Sequence, residues 1–195
     1  MIRSSRSYLS VLFGVISLVL ASSVVALSQQ QASVSNVSIK NFGQMDDRFF
    51  RGGQPKKDEY QELAALGITT VIDLRDDPTA YEKGSVEALG MKYVNIPMSD
   101  SSYPETTKIE AFLKLVDDPS TGKFYVHCAG GRHRTGVAGA VYRFNHYNWT
   151  YDQVYAEMKK YDFYTRFGHG DMKKFVQDYA TSFHGKSQQI AEGTK

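Results

Sequence analysis

The feature that most constrains this chain is the run Val126-His127-Cys128-Ala129-Gly130-Gly131-Arg132-His133-Arg134-Thr135-Gly136, which holds the only cysteine among 195 residues. The apolar segment Phe124-Tyr125-Val126 runs straight into it, and a helical pattern over residues 137–147 comes next. Strand, glycine loop and helix in that order point to an α/β domain, where a parallel strand delivers its loop to the carboxyl edge of the sheet. Gly130, Gly131 and Gly136 let the main chain approach closely enough for its N–H groups to ring an anion. The N-terminus of the next helix aims its partial positive charge at the same place. A cysteine so placed has its pKa lowered to about 3.5–7.5. An arginine six residues further on, Arg134, can hold two phosphoryl oxygens with its planar fork.

Upstream, the chain alternates strand and helix patterns. Residues 49–55 read as a short strand ending in a glycine turn, and residues 57–66 have helical spacing that stops at Gly67. Residues 69–74 are β-branched and apolar, as a buried parallel strand requires. A helix over 81–89 leads to a strand over 92–98, and Pro104 suits the first turn of the next helix, which carries Ile109, Phe112, Leu113 and Val116 on one face. Beyond the loop, residues 137–147, 151–161 and 171–183 read as three more helices. The expected fold is a central, largely parallel sheet of four to five strands flanked by helices.

The first 27 residues stand apart. Arg3 and Arg6 give a positive start, and residues 11–27 are an apolar run of 17, short of the ~20 a membrane-spanning helix needs. Small residues near Ala26 suit a signal peptidase, so the expectation is a cleaved signal peptide over 1–27, with an uncleaved N-terminal anchor as the alternative, and an exported domain either way. Residues 28–40 read as a polar linker, with an edge strand over 35–40 as the alternative. The domain proper then spans 41–184, and 185–195 form a polar tail. Without the signal the chain carries 21 basic and 21 acidic residues. With no long basic run, nucleic-acid binding has no electrostatic support. One cysteine forms no internal disulfide, which is unusual for an exported domain unless the thiol has another use.

The signature around Cys128, together with residues 50–55, 66–75 and 149–158, resembles the cysteine-dependent protein tyrosine phosphatase superfamily. The similarity is to its bacterial dual-specificity-type members, and covers most of residues 41–183. Gly131-Arg132-His133-Arg134-Thr135-Gly136 is similar to the loop of plant and fungal atypical dual-specificity phosphatases, a group associated with inositol pyrophosphates as well as phosphotyrosine. The resemblance implies a two-step, metal-independent reaction with no cofactor. Cys128 attacks phosphorus, an aspartic acid protonates the leaving oxygen, and water hydrolyses the cysteinyl phosphate. It also implies a phosphorylated protein or inositol phosphate as substrate.

Each residue then has an expected role. Cys128 is the nucleophile, and Arg134 with the loop residues Ala129, Gly130, Gly131, Arg132 and His133 binds the phosphate. Arg132 and His133 add positive character at the rim. Thr135 donates to the sulfur, and His127 is a support rather than a proton carrier. Asp100, at the carboxyl end of the strand over 92–98, is the expected general acid, with Glu105 in reserve and helix capping as the alternative. Asp73 and Arg75 read as structural. His169, Asp171 and Arg166 read as an ordinary loop and helix start. No tyrosine is assigned to substrate, and no metal-ligand cluster is read. A non-catalytic phosphate-binding module is the alternative to an enzyme.

Overall fold

The structure is a computed structural model that describes residues 36–193. The expected signal segment and residues 28–35 of the expected linker lie outside the described residues. The first elements are β1 (Gly43–Gln44) and β2 (Phe49–Gly52), then α1 (Tyr60–Ala65), β3 (Thr70–Arg75), α2 (Glu82–Ala88) and β4 (Lys92–Met98). They are followed by α3 (Thr106–Asp117), β5 (Phe124–His127), α4 (Arg134–Tyr147), α5 (Tyr151–Lys160) and α6 (Gly170–Gly193). Five strands form one sheet in the order β1-β2-β5-β3-β4. Within it β1 is antiparallel to β2, and the other neighbours pair in parallel.

Alternation along the strands divides the core in two. Phe49, Ile72, Leu74, Phe124 and Val126 point to the face covered by α3, α4, α5 and α6, where they meet Phe112, Phe144 and Val176. Phe50, Val71 and Tyr125 point the other way, onto Tyr60 and Leu63 of α1 and Val86 of α2. Full burial of a side chain such as Phe49 or Phe112 contributes roughly 1.5–3 kcal/mol. Every residue of α4 from Arg134 to Phe144 is buried. That helix sits inside the helical layer, so no solvent face shows in its sequence.

Register places the site. Gly52 and Asp73 both pair with His127, and Arg75 pairs with Met98. The carboxyl ends of four strands are thus level, and the loops leaving them surround Cys128.

Several boundaries differ from the sequence-based expectation. Residues 36–40, the described part of the alternative edge strand, form no strand; the edge is β1, too short to show a period. Residues 36–40 of the expected linker pack on the domain, with Ile39 buried and Ser38 bonded to Glu62. Pro104 lies outside its helix, before the N-terminal cap Glu105 in extended conformation. α4 begins at Arg134 rather than residue 137, because the loop itself turns into the helix. α6 runs on to Gly193, past the expected end at 183, since its glutamines, Ala191 and Glu192 are good helix formers.

Candidate active site

The site is built on β5. His127 ends the strand, Cys128 begins the loop, and Arg134 opens α4. The loop's carbonyls are pulled outward. The Gln54 amide donates to the Ala129 carbonyl at 3.2 Å, Asn41 Nδ2 donates to the carbonyls of Gly130 and Gly131, and Arg51 Nη2 donates to Gly131 at 2.5 Å. In a planar trans peptide the carbonyl and the next N–H point in opposite directions. Pinning the carbonyls of 129–131 outward therefore turns the amides of Gly130, Gly131 and Arg132 inward. None of the amides of residues 129–133 donates to a backbone carbonyl, and the Arg132 amide faces the sulfur. Gly131 has φ +66°, and a Cβ there would fall 2.6 Å from the Gly53 nitrogen. Only glycine meets both demands.

Cys128 is 4% exposed. Burial pushes its thiol pKa up, but the Thr135 hydroxyl and amide, the Arg134 charge and the Arg132 amide more than offset this and hold it below the ordinary value. The Thr135 hydroxyl is buried and has no other hydrogen-bond partner. Arg134 is buried too; its Nη1 lies 2.6 Å from Asp76 Oδ1 and donates to the Met98 carbonyl at 3.1 Å. These contacts come from the loop after β3 and from the last residue of β4, and they fix the guanidinium before any ligand arrives.

Cys128 and Arg134 line one cavity of about 180 Å³ together with Asp100, Ala129, Gly130, Arg132, His133, Tyr164 and His169. Asp100 is exposed at its mouth. Glu105, the reserve acid, caps α3 by position and does not line the cavity. Arg132 lies 3.7 Å from Asp162 and 5.8 Å from the Tyr164 ring centre. His133 differs from the expected positive rim. Burial and the charge of His169 pull its pKa down to about 4, so the ring is neutral. It stacks on His169 at 3.5 Å and meets the edge of Tyr164 at 4.4 Å. His169 therefore belongs to the cavity wall, not to an ordinary loop, whereas Arg166 and Asp171 do not line it.

Beneath the loop lie His127 and Asp73, together with Arg51 and Glu82, which the sequence does not single out. Arg51, 1% exposed in β2, has its pKa pulled down to about 10 by burial, against the opposing pull of Tyr161 and of Cys128. His127 Nε2 lies 2.7 Å from Glu82 Oε1, and its Nδ1 lies 3.9 Å from Asp73 Oδ1. Among the described residues these three form the one cluster with metal-type ligands. Two ligands each ~2.1 Å from a tetrahedral metal stand roughly 3.4 Å apart, so the direct His127–Glu82 contact leaves no place for an ion between them. Arg75 pairs with Asp77 and donates to Gln54, so it braces the loop after β3. One signal was available for Arg51, a lone cation inside an apolar strand. Asp76 and Glu82 look like ordinary surface acids in sequence.

A thiol with a lowered pKa in a collar of amides, over a clamped arginine on a mostly parallel sheet, defines a cysteine-dependent phosphatase. The chain belongs to the dual-specificity-type phosphatases: the family described as "DSP-PTPase phosphatase fused to NAD+ Kinase" matches residues 23–178. It is 29% identical over 128 residues to a "Probable tyrosine-protein phosphatase" of Dictyostelium discoideum, covering 62% of this chain and 75% of that one. To an inositol diphosphatase of Oryza sativa it is 28% identical over 128 residues, covering 62% and 61%. It matches only 10% of the length of a rice protein named "Probable NAD kinase 2, chloroplastic". The core catalytic domain of a PP-IP phosphatase from S. cerevisiae superposes with TM-score 0.63 at 20% identity, covering 80% of this chain and 93% of that one. Pseudomonas aeruginosa TpbA does so with TM-score 0.61 at 19% identity, covering 71% and 84%. Among the described residues no helix is long and apolar enough to cross a membrane.

Proposed function

We propose that this chain hydrolyses phosphate monoesters without a metal, through a cysteinyl-phosphate at Cys128. The observation that carries the reading is that Cys128, the loop residues Ala129, Gly130, Arg132 and His133, Arg134 and Asp100 line one cavity. The thiolate attacks phosphorus while Arg134 and the amides hold the non-bridging oxygens. As the bond to the leaving oxygen breaks, Asp100 gives that oxygen its proton. Water then attacks the phosphorus, Asp100 takes back a proton, and sulfur departs as thiolate, aided by the Thr135 hydroxyl. The substrates are inferred from the relatives: phosphotyrosine-type esters or inositol (pyro)phosphates. We also infer export, from the positive start and apolar run of residues 1–27; N-terminal sequencing of protein recovered outside the cytoplasm tests this.

The protein should release p-nitrophenolate from p-nitrophenyl phosphate in excess EDTA, and Cys128→Ser should end turnover. Activity that requires a metal and survives the serine substitution overturns the reading. Phosphate-ligand binding by calorimetry with no turnover on any ester would leave a binding module instead. A panel of phosphotyrosine peptides, phosphoinositides and inositol pyrophosphates decides the substrate.

A further inference from the structure

Glu82 takes no part in the steps above. It opens α2, where an acid ordinarily faces water beside the helix dipole. Here it is 0% exposed, with one carboxylate oxygen in a close ion contact and the other accepting a hydrogen bond. Oε1 meets His127 Nε2 at 2.7 Å, and Oε2 accepts from Gln54 Nε2 at 3.0 Å. Asp73 stands on the other side of the imidazole, and Tyr125 stacks 5.7 Å away. The ring is boxed between two carboxylates in the residue directly before Cys128. Gln54 extends the network by accepting from Arg75 Nη1 at 3.0 Å. Arg75 in turn precedes Asp76, the acid that holds Arg134.

A buried carboxylate keeps its charge only when a cation or donors meet it. Burial pushes the Glu82 carboxyl up, yet His127, Gln54 and Tyr60 bring it below its ordinary range. His127 moves reciprocally: burial pulls its pKa down, and Glu82, then Asp73 and Cys128, raise it above the ordinary value. The pair therefore lies in the interior, with His127 next to Cys128 in the chain and within its electrostatic reach, rather than at the surface.

We propose that Glu82 is a positioning residue for the reaction: through His127 it fixes a positive charge beneath Cys128 and favours the ionised sulfur. This rests on Cys128 being the nucleophile. The other groups acting on the sulfur are the Thr135 hydroxyl, Arg134, the Arg132 amide, Arg51 and the Tyr125 phenol. Asp76 and Asp100 stand at the cavity side, where His133 is neutral and His169 lines the wall. Those facing His127 are Glu82, Asp73, Cys128 and Tyr125. Arg134 and Arg51 stay in place when Glu82 loses its charge, so the thiol should move only part of the way to its free value.

The test is the pH dependence of iodoacetamide alkylation of Cys128, read by mass spectrometry on the full chain. In Glu82→Gln the profile should shift up by about one unit, slowing alkylation roughly tenfold below the thiol pKa and leaving the alkaline plateau unchanged. A merely structural loss would lower the rate at every pH. His127→Gln should produce the same shift, and the double variant no more than either alone. A Glu82→Gln profile that coincides with wild type overturns the proposal. A wild-type profile already at the value of a free cysteine instead sinks the nucleophile reading. If Glu82→Gln fails to fold, nitrogen-15 histidine spectra of the wild-type protein decide: a His127 ring charged at pH 7.5 supports the proposal, and a neutral ring overturns it.

Discussion

The floor and the mouth of the cavity are built on opposite terms. Below the loop, Arg51, His127, Glu82 and Asp73 are sealed from water and tied to one another or to the loop's carbonyls. At the mouth, Asp100 is exposed, and Arg132 reaches Asp162 across 3.7 Å with both side chains partly in solvent. Buried pairs act in a low effective dielectric and are costly to break singly, whereas exposed pairs are screened and contribute little. The floor is thus rigid and indifferent to what is bound; the mouth can choose. Floor substitutions should affect all phosphate esters alike, and mouth substitutions should affect them unequally.

The largest effect belongs to Cys128→Ser, which should lower kcat about 10⁴-fold or more for every ester, in line with removal of other catalytic nucleophiles. Equal losses across a broad substrate panel uphold the division. Arg134→Lys comes next, at about 10²–10³-fold in kcat/KM, because an ammonium cannot supply the fork that Asp76 and the Met98 carbonyl orient. A loss under tenfold would show that the guanidinium does not grip the phosphoryl group. Asp100→Asn should cost roughly 10²-fold with alkyl esters and far less with p-nitrophenyl phosphate, whose leaving group needs no proton. The same loss with both esters would move Asp100 out of the acid role. His169→Ala should change KM several-fold between aryl and alkyl substrates with little change in kcat. A uniform change would place the His133–His169 stack with the floor. The smallest effect concerns stability. The His127 pKa is raised in the folded state, so the pair's contribution is complete below the unfolded value of about 6.5. It is lost as pH rises through the folded value. Urea midpoints of wild type and Glu82→Gln should therefore differ more at pH 6 than at pH 9.

Legibility in the sequence divides along the same line. The loop around Cys128 and the alternating strands were legible because spacing and glycine placement are local properties. The place of Asp100 at the cavity was legible because it comes after a strand whose carboxyl end could be read. The floor was not. Glu82 has the surroundings of a solvated helix start, and nothing along the chain says that α2 turns it inward onto a strand 45 residues later. Asp76 sits in an Asp-rich turn that reads as solvent-facing, yet the register of β3 against β5 brings it to Arg134. His169 lies 36 residues beyond His133 in a glycine-flanked segment, and its stacking depends on where α5 leaves the chain. Partners fixed by tertiary register leave no periodic mark.

Asn41 carries a practical consequence. Its backbone has φ +57°, and its one amide group serves the carbonyls of Gly130, Gly131 and Tyr161. Beside it, the Lys40 carbonyl accepts from Gly53 at 2.8 Å. Anyone trimming this protein to a minimal expressible fragment would be tempted to start at the first strand. A fragment beginning at Gly43 would keep all five strands while freeing the anion-binding turn from its tether. Such a fragment should fold and still bind oxyanions poorly, so the working edge of the domain falls before its first strand.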